Sequence, residues 1–247
     1  MKEIKRDVYL NKLISRKENG LIKIITGIRR CGKSYLLNPL FKNHLLESGV
    51  KEDHIIKLEL DKEENIKYRD SYELNKYIKS QIKDKNMYYI LLDEIQMVDG
   101  FESVLNGFLY ERNLDVYVTG SNSKFLSSDI ITEFRGRGDE IKVFPLSFSE
   151  YVEAFKGDKQ DAWNEYVLYG GLPLILSKKT DEEKSKYLKD LFDQTYIKDI
   201  IERNNIQRVD ILDSIINMLA SSVGSLTNPK KIYSNSTKIL FFRYWTS

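Results

Sequence analysis

Gly27-Ile28-Arg29-Arg30-Cys31-Gly32-Lys33-Ser34 decides the fold, because it fits GxxxxGK[ST] with a strand pattern before it and a helix pattern after it. The preceding run Leu21 to Thr26, LIKIIT, is short, apolar and β-branched, and it breaks at Gly27 as a strand feeding a glycine loop does. From Lys33 onward, Leu36, Leu37, Leu40, Phe41 and Leu45 recur at helical spacing until the turn signal Glu47-Ser48-Gly49, with His44 on the apolar face as a packing residue. Pro39 predicts a local kink. In a loop of this kind the backbone N–H groups curl toward phosphate oxygens, and glycine allows the close approach. Lys33 then reaches the β and γ phosphates of a nucleotide and Ser34 offers its hydroxyl to Mg²⁺, while the helix dipole favours the bound anion. The whole loop from Gly27 to Ser34, together with Tyr35, is the expected nucleotide-binding set. Cys31 within it reads as a small filler, since nothing in the sequence lowers its thiol pKa.

Outward from the loop, further strands are legible at His54 to Leu60, Met87 to Asp93, Leu114 to Gly120 and Glu140 to Pro145, separated by helical or loop-rich intervals. Strands alternating with helices imply a parallel sheet covered on both faces, a three-layer α/β/α P-loop architecture. A helix is expected first, over Lys2 to Asn19, stopping at Gly20. After Pro145 only helices are expected: Ser147 to Phe155, Asp161 to Leu168, Thr180 to Arg203 and Val209 to Ser222. The expected organisation is a P-loop core over 1–146, a helical region over 147–228 and an atypical tail over 229–247.

The run Tyr88 to Glu94, YYILLDE, is an apolar strand ending in two acids, and carboxylates there are costly unless they have work to do. In a P-loop hydrolase Asp93 holds Mg²⁺ and Glu94 polarises the attacking water; the competing reading is two acids capping a helix that begins at Ile95. The run Val116 to Ser123, VYVTGSNS, ends a strand in small polar groups. Thr119 and Asn122 are candidate sensors of the γ phosphate there, and a plain turn is the other reading. In Phe134-Arg135-Gly136-Arg137-Gly138, Arg135 and Arg137 read either as a surface loop or as a source of phosphate-stabilising charge, from the same subunit or by self-association from a neighbour. Arg137 is the catalytic candidate.

The whole-chain numbers exclude several classes. Among 247 residues, 39 basic and 37 acidic side chains leave a formal charge of +2, which gives no global pull toward nucleic acid. One cysteine cannot form an internal disulfide, and His44 and His54 lack zinc-ligand spacing. No run is long and apolar enough for a membrane span, and the amino terminus lacks a secretory pattern, so the expected location is the cytoplasm.

Taken together, GIRRCGKS, YYILLDEIQ, VYVTGSNS, FRGRGDEIKVFPLSFSEY and YGGLPLIL resemble a family of prokaryotic AAA-type ATPases with a carboxyl-terminal domain of unknown function. The resemblance runs from about Asp7 to Pro229. It implies an AAA-like strand order, Asp93 and Glu94 as the metal and water carboxylates, and Arg137 near a nucleotide, that of a neighbouring subunit included. Members of the family usually continue into a winged helix and a nuclease-like domain. Here the chain turns to Tyr233-Ser-Asn-Ser-Thr-Lys and Phe241-Phe-Arg-Tyr-Trp-Thr-Ser247, read as packing on the helical region, as an interaction patch or, the favoured expectation, as a tail created by an early reading-frame shift.

The leading functional expectation is therefore an Mg²⁺-dependent ATP hydrolase whose cycle moves the helical region against the core. The rivals are a slow nucleotide-gated interaction module, a DNA-binding ATPase using Lys230 and Lys231, and a P-loop kinase.

Overall fold

The computed structural model describes residues 4–120, 134, 136–197, 200–201, 205–224 and 228. Asn122 and Arg135 lie outside the described residues, as do Lys230, Lys231 and the tail.

Five strands form the sheet: β1 (Ile22–Thr26), β2 (Ile55–Glu59), β3 (Tyr88–Asp93), β4 (Leu114–Thr119) and β5 (Gly138–Lys142). Every pairing is parallel, and the order is β2-β3-β4-β1-β5. This is the order implied by the AAA resemblance.

Alternation along the strands makes the three layers. Ile24, Ile90, Leu92 and Val118 face one core, which is closed by α4 (Ser71–Gln81) and α5 (Phe101–Phe108). Ile25, Leu91, Tyr117 and Ile141 face the other, where Leu13 of α1 (Asp7–Ser15) and Leu36, Leu40 and Phe41 pack. A strand covered on both sides needs an unbroken apolar run, and all six residues of β3 are buried accordingly.

The helix after the glycine loop begins as α2 (Lys33–Tyr35), widens into a π segment (Leu36–Phe41) and resumes as α3 (Lys42–Glu47). The kink expected at Pro39 falls one residue earlier, at Asn38, whose φ of −146° and ψ of 116° are extended. The residue before a proline is pushed out of the helical region by the ring, which accounts for the break. His44 lies half-buried with its ring stacked toward Phe41.

α1 is shorter than the sequence pattern predicts. It starts after Arg6, at φ 52°, and stops at Ser15, because Glu18 turns left-handed at φ 58° and gives its N–H to Asp115 Oδ2 at 2.9 Å. β5 starts two residues ahead of the expected stretch. Its first residue, Gly138, pairs with Ile22, and an added Cβ there would come within 2.7 Å of Ile24 Cδ1.

The chain divides into two compact units, Met1–Ser185 and Lys186–Ser247. In the first unit, α6 (Phe148–Ala154) opens with a capping box between Ser147 and Glu150, and α7 (Lys159–Tyr169) is capped by Asp158. The helix expected over Thr180 to Arg203 is α8 (Asp181–Leu191), which passes into a π segment (Phe192–Ile197). α9 (Val209–Ser221) belongs to the second unit. No helix among the described residues is long and apolar enough to cross a membrane.

Candidate functional site

Parallel pairing brings the carboxyl ends of β1, β3 and β4 to one edge, with Ile25 opposite Thr119 and Leu92 opposite Val118. Thr26, Asp93 and Thr119 therefore end their strands side by side, and the glycine loop springs from the first of them.

Two glycines let that loop close. Gly27 has φ 149°, and a Cβ on it would fall 2.3 Å from Val143 O; Gly32 has φ 98° at the start of α2. Arg30, at φ 67°, is left-handed without being glycine. Such a residue is uncommon, and it persists only where the surroundings hold it. Cys31 is buried with its thiol toward Val143 O at 3.5 Å, and burial pushes that thiol up, which fits a packing role.

Lys33 is buried inside the loop, where Nζ donates to Gly27 O at 2.9 Å and Ile28 O at 3.0 Å. Burial depresses its pKa, and the nearby carboxylates of Glu94 and Asp93 pull it partly back up. Asp93 shows the opposite pattern. Burial raises its carboxyl, while hydrogen bonds from Thr119 and Ser34 work against the shift. Thr119 is fully buried; its hydroxyl donates to Asp93 Oδ1 at 2.5 Å and accepts from the Glu94 N–H at 3.0 Å. It ties the Asp93 carboxylate to the Glu94 backbone.

Glu94 occupies a left-handed position, φ 56° and ψ 51°, ahead of the short 3-10 turn Ile95–Met97. Its side chain makes no cap hydrogen bond to that turn, which removes the helix-capping reading; its Oε2 instead accepts from Gln96 Nε2.

A cavity of about 770 Å³ opens over this edge. That is within the range of small-molecule sites. The loop residues Arg29 to Tyr35 line it, with Glu94, Gln96 and Asp61 on one wall. Leu146, Pro173 and Leu174 give it an apolar side, and Ile4 and Arg6 complete it.

Sequence reasoning missed those last contributors. The Gly170-Gly171-Leu172-Pro173 segment carried only a resemblance, yet it is tied to the stretch that follows β5 by Leu146 N–H donating to Gly171 O at 2.7 Å. A Cβ at Gly171 would meet Leu146 O at 2.2 Å, so only glycine fits. Arg6 reaches Phe144 O through Nη2 at 2.6 Å, with Nε 3.5 Å from Glu150 Oε1. Nothing in the local pattern of Met1 to Asp7 distinguishes it from a solvated arginine.

Arg137 is not brought to this site. Its backbone carbonyl accepts from the N–H of Ile22, the first residue of β1, and Gly138 begins β5, so Arg137 stands at the amino ends of the strands. Five residues of strand, roughly 16 Å, separate that end from Gly27.

The fold and this edge define a P-loop nucleotide-binding protein. The AAA domain family matches residues 19–152, and a domain of unknown function, DUF8612, matches residues 160–244. The chain belongs to the AAA domain family, a class of nucleotide-binding ATPases. The second match extends to residue 244, into the stretch expected to be an out-of-frame tail. An uncharacterized protein of Haemophilus influenzae is 35% identical over 241 residues, covering 95% of this chain and 60% of its own length. One from Methanocaldococcus jannaschii is 30% identical over 247 residues, covering 94% and 52%. The chain thus spans between half and two thirds of the length of these relatives. Among solved structures, AMPPCP-bound DnaA from Aquifex aeolicus aligns with a TM-score of 0.45 at 17% identity, covering 97% of this chain and 78% of that one.

Proposed function

We propose that this protein binds ATP with Mg²⁺ in the cavity above the strand ends and hydrolyses it to ADP and phosphate. The observation that carries the reading is the convergence of Lys33, Ser34, Asp93 and Glu94 at one sheet edge, with Thr119 fixing the two acids.

The donor set fits magnesium. Ser34 and Asp93 supply oxygen ligands, and no group of three or more His, Cys, Asp or Glu placed to hold a metal ion occurs among the described residues. Magnesium takes one or two protein oxygens and completes its shell with phosphate and water, whereas a resident transition metal needs a fuller protein cage. When bound, the ion neutralises charge on the β and γ phosphates.

Lys33 exchanges the Gly27 and Ile28 carbonyls for phosphate oxygens, and the loop N–H groups take the remaining phosphate charge. Asp93 stays clamped by Thr119 and faces the metal with Ser34. Glu94 accepts a hydrogen bond from the attacking water and draws off its proton. The nucleobase rests against Leu146, Pro173 and Leu174, whose apolar surface suits a planar ring. Arg137 serves the nucleotide of a neighbouring subunit, because its own site is at the other end of the sheet. We also propose that 1–146 works as the nucleotide core and that the helices from 147 to 228 move in response.

Two variants test the reading. Lys33→Ala is expected to abolish nucleotide binding, and Glu94→Gln to keep ATP bound while slowing release of inorganic phosphate on the order of 100-fold. Unchanged turnover in Glu94→Gln removes that residue from the mechanism. Turnover per subunit that rises with protein concentration supports the neighbour's arginine.

A further inference from the structure

Glu94 and Gln96 form a pair that the hydrolase reading uses only in part. The left-handed backbone at Glu94 and the turn after it fold Gln96 back alongside the carboxylate, so that Gln96 Nε2 donates to Glu94 Oε2. Chemistry fixes which end of the amide faces which way. An ionised carboxylate only accepts, so the NH₂ end must face Glu94 and the carbonyl oxygen must face elsewhere. That oxygen, Gln96 Oε1, is buried and accepts no hydrogen bond among the described residues. Both side chains line the cavity that holds the glycine loop.

A buried carbonyl without a donor is costly, and a protein that keeps one beside a ligand cavity points to a donor that arrives with the ligand. The hydrolytic water has two protons. One is directed at Glu94; the second needs an acceptor if the oxygen lone pair is to stay aimed at phosphorus.

Resting on the ATP hydrolase reading, we propose that Gln96 is the second water-binding residue of this site, its Nε2 holding Glu94 Oε2 and its Oε1 accepting a hydrogen bond from the water that Glu94 activates. Gln96 then does two things with one side chain. It fixes the direction of the general base, and it fixes the rotation of the nucleophile. In the step itself, the water oxygen forms a bond to the γ phosphorus as the bond from phosphorus to the bridging oxygen breaks. The electron pair of that bond leaves with ADP, and the water's proton passes through Glu94 to solvent.

The test compares Gln96→Leu, Gln96→Glu, Glu94→Gln and the double variant Glu94→Gln/Gln96→Leu in the full chain, with phosphate release and fluorescent-nucleotide affinity as readouts. Gln96→Leu removes both polar ends; it is expected to lower kcat at least tenfold while KM and nucleotide affinity change less than about twofold. The double variant is expected to be no slower than Glu94→Gln alone, because the two residues act on one water. Unchanged kcat in Gln96→Leu overturns the proposal, as does a double variant whose losses multiply. If Gln96→Leu does not fold, Gln96→Glu, which keeps the size and removes the donor to Glu94, decides by the same criteria. The two readings fail separately: normal turnover in Glu94→Gln sinks the role of Glu94 itself, whereas slow Glu94→Gln with normal Gln96→Leu sinks only the role of Gln96.

Discussion

The two ends of the sheet bury charge in opposite ways. At the amino end, Lys23 is fully buried, and its Nζ donates to Asp115 Oδ1, to Leu21 O at 2.8 Å and to Asn19 Oδ1 at 3.3 Å. Asp115 Oδ2 in turn accepts from the Glu18 N–H at 2.9 Å and the Tyr117 hydroxyl at 2.8 Å. All three ammonium protons and both carboxylate oxygens are committed inside the protein. At the carboxyl end, Lys33 rests on two loop carbonyls, Asp93 on hydroxyls, and Glu94 on an amide. Those partners are neutral and exchangeable. The difference bears on what a buried charge is for: a hydrogen-bonded counter-charge within the chain ties a buried charge to the fold, whereas hydrogen bonds to carbonyls, hydroxyls and amides are ones that a ligand can replace.

The sharpest way to break this comparison is to remove the counter-charge. Asp115→Ala leaves Lys23 buried and unpaired, and is expected to cost about 3–5 kcal/mol of folding stability in denaturant titrations. The loss has a pH signature. Burial holds the Lys23 pKa below the ordinary lysine value even with Asp115 nearby. The folded chain therefore binds fewer protons than the unfolded one, and stability rises with pH between the depressed folded value and the ordinary one. Without Asp115 the depression deepens, so the variant should recover part of its stability as the pH is raised toward 10. A loss below about 1 kcal/mol, or one independent of pH, means that the amino-end pair is not structural.

At the other end the same kind of change should leave the fold intact. Lys33→Met is expected to weaken ATP binding by on the order of 100-fold, about 2.7 kcal/mol, in fluorescence titrations. The ligand-free protein should be as stable as before or more so, since an ammonium disfavoured by burial gives way to an apolar chain. A large drop in its melting temperature would make Lys33 a structural charge after all.

The smallest effect is expected from the clamp. Thr119→Val keeps the shape but removes the hydroxyl from Asp93 Oδ1 and the acceptor from the Glu94 N–H. About 1–2 kcal/mol of stability should be lost, with kcat falling more than KM. Equal changes in kcat and KM would place Thr119 outside the alignment of the two acids.

Much of this was legible along the chain. The β1 and β3 runs were readable because a strand buried on both faces is predominantly apolar, and Gly27 and Gly32 were readable because the loop's backbone admits little else there. Lys23 was not readable, since its partner Asp115 is 92 residues away on a strand brought beside it only by the parallel pairing of β1 with β4. Thr119 was read as a candidate sensor of the γ phosphate, and its bond to Asp93 Oδ1 was not readable, because the two residues end different strands. Pro173 and Arg6 entered the cavity from segments more than 160 residues apart, a distance at which no local pattern carries information. The end of α1 was misplaced for the same reason, because Asp115 ties down the Glu18 backbone.

The sequence by itself determined the parallel sheet, the phosphate loop and the pair of acids at the carboxyl end of β3, because each depends on short-range rules of burial, backbone freedom and strand-to-helix punctuation. Tertiary structure alone decided which buried charge is hydrogen-bonded to a counter-charge and which is hydrogen-bonded to carbonyls or hydroxyls. It placed Arg137 at the far end from its own loop, set Gln96 against Glu94, and walled the cavity with Leu146, Pro173 and Leu174. Those outcomes depend on which strand ends meet, and strand order is fixed only when the whole core closes.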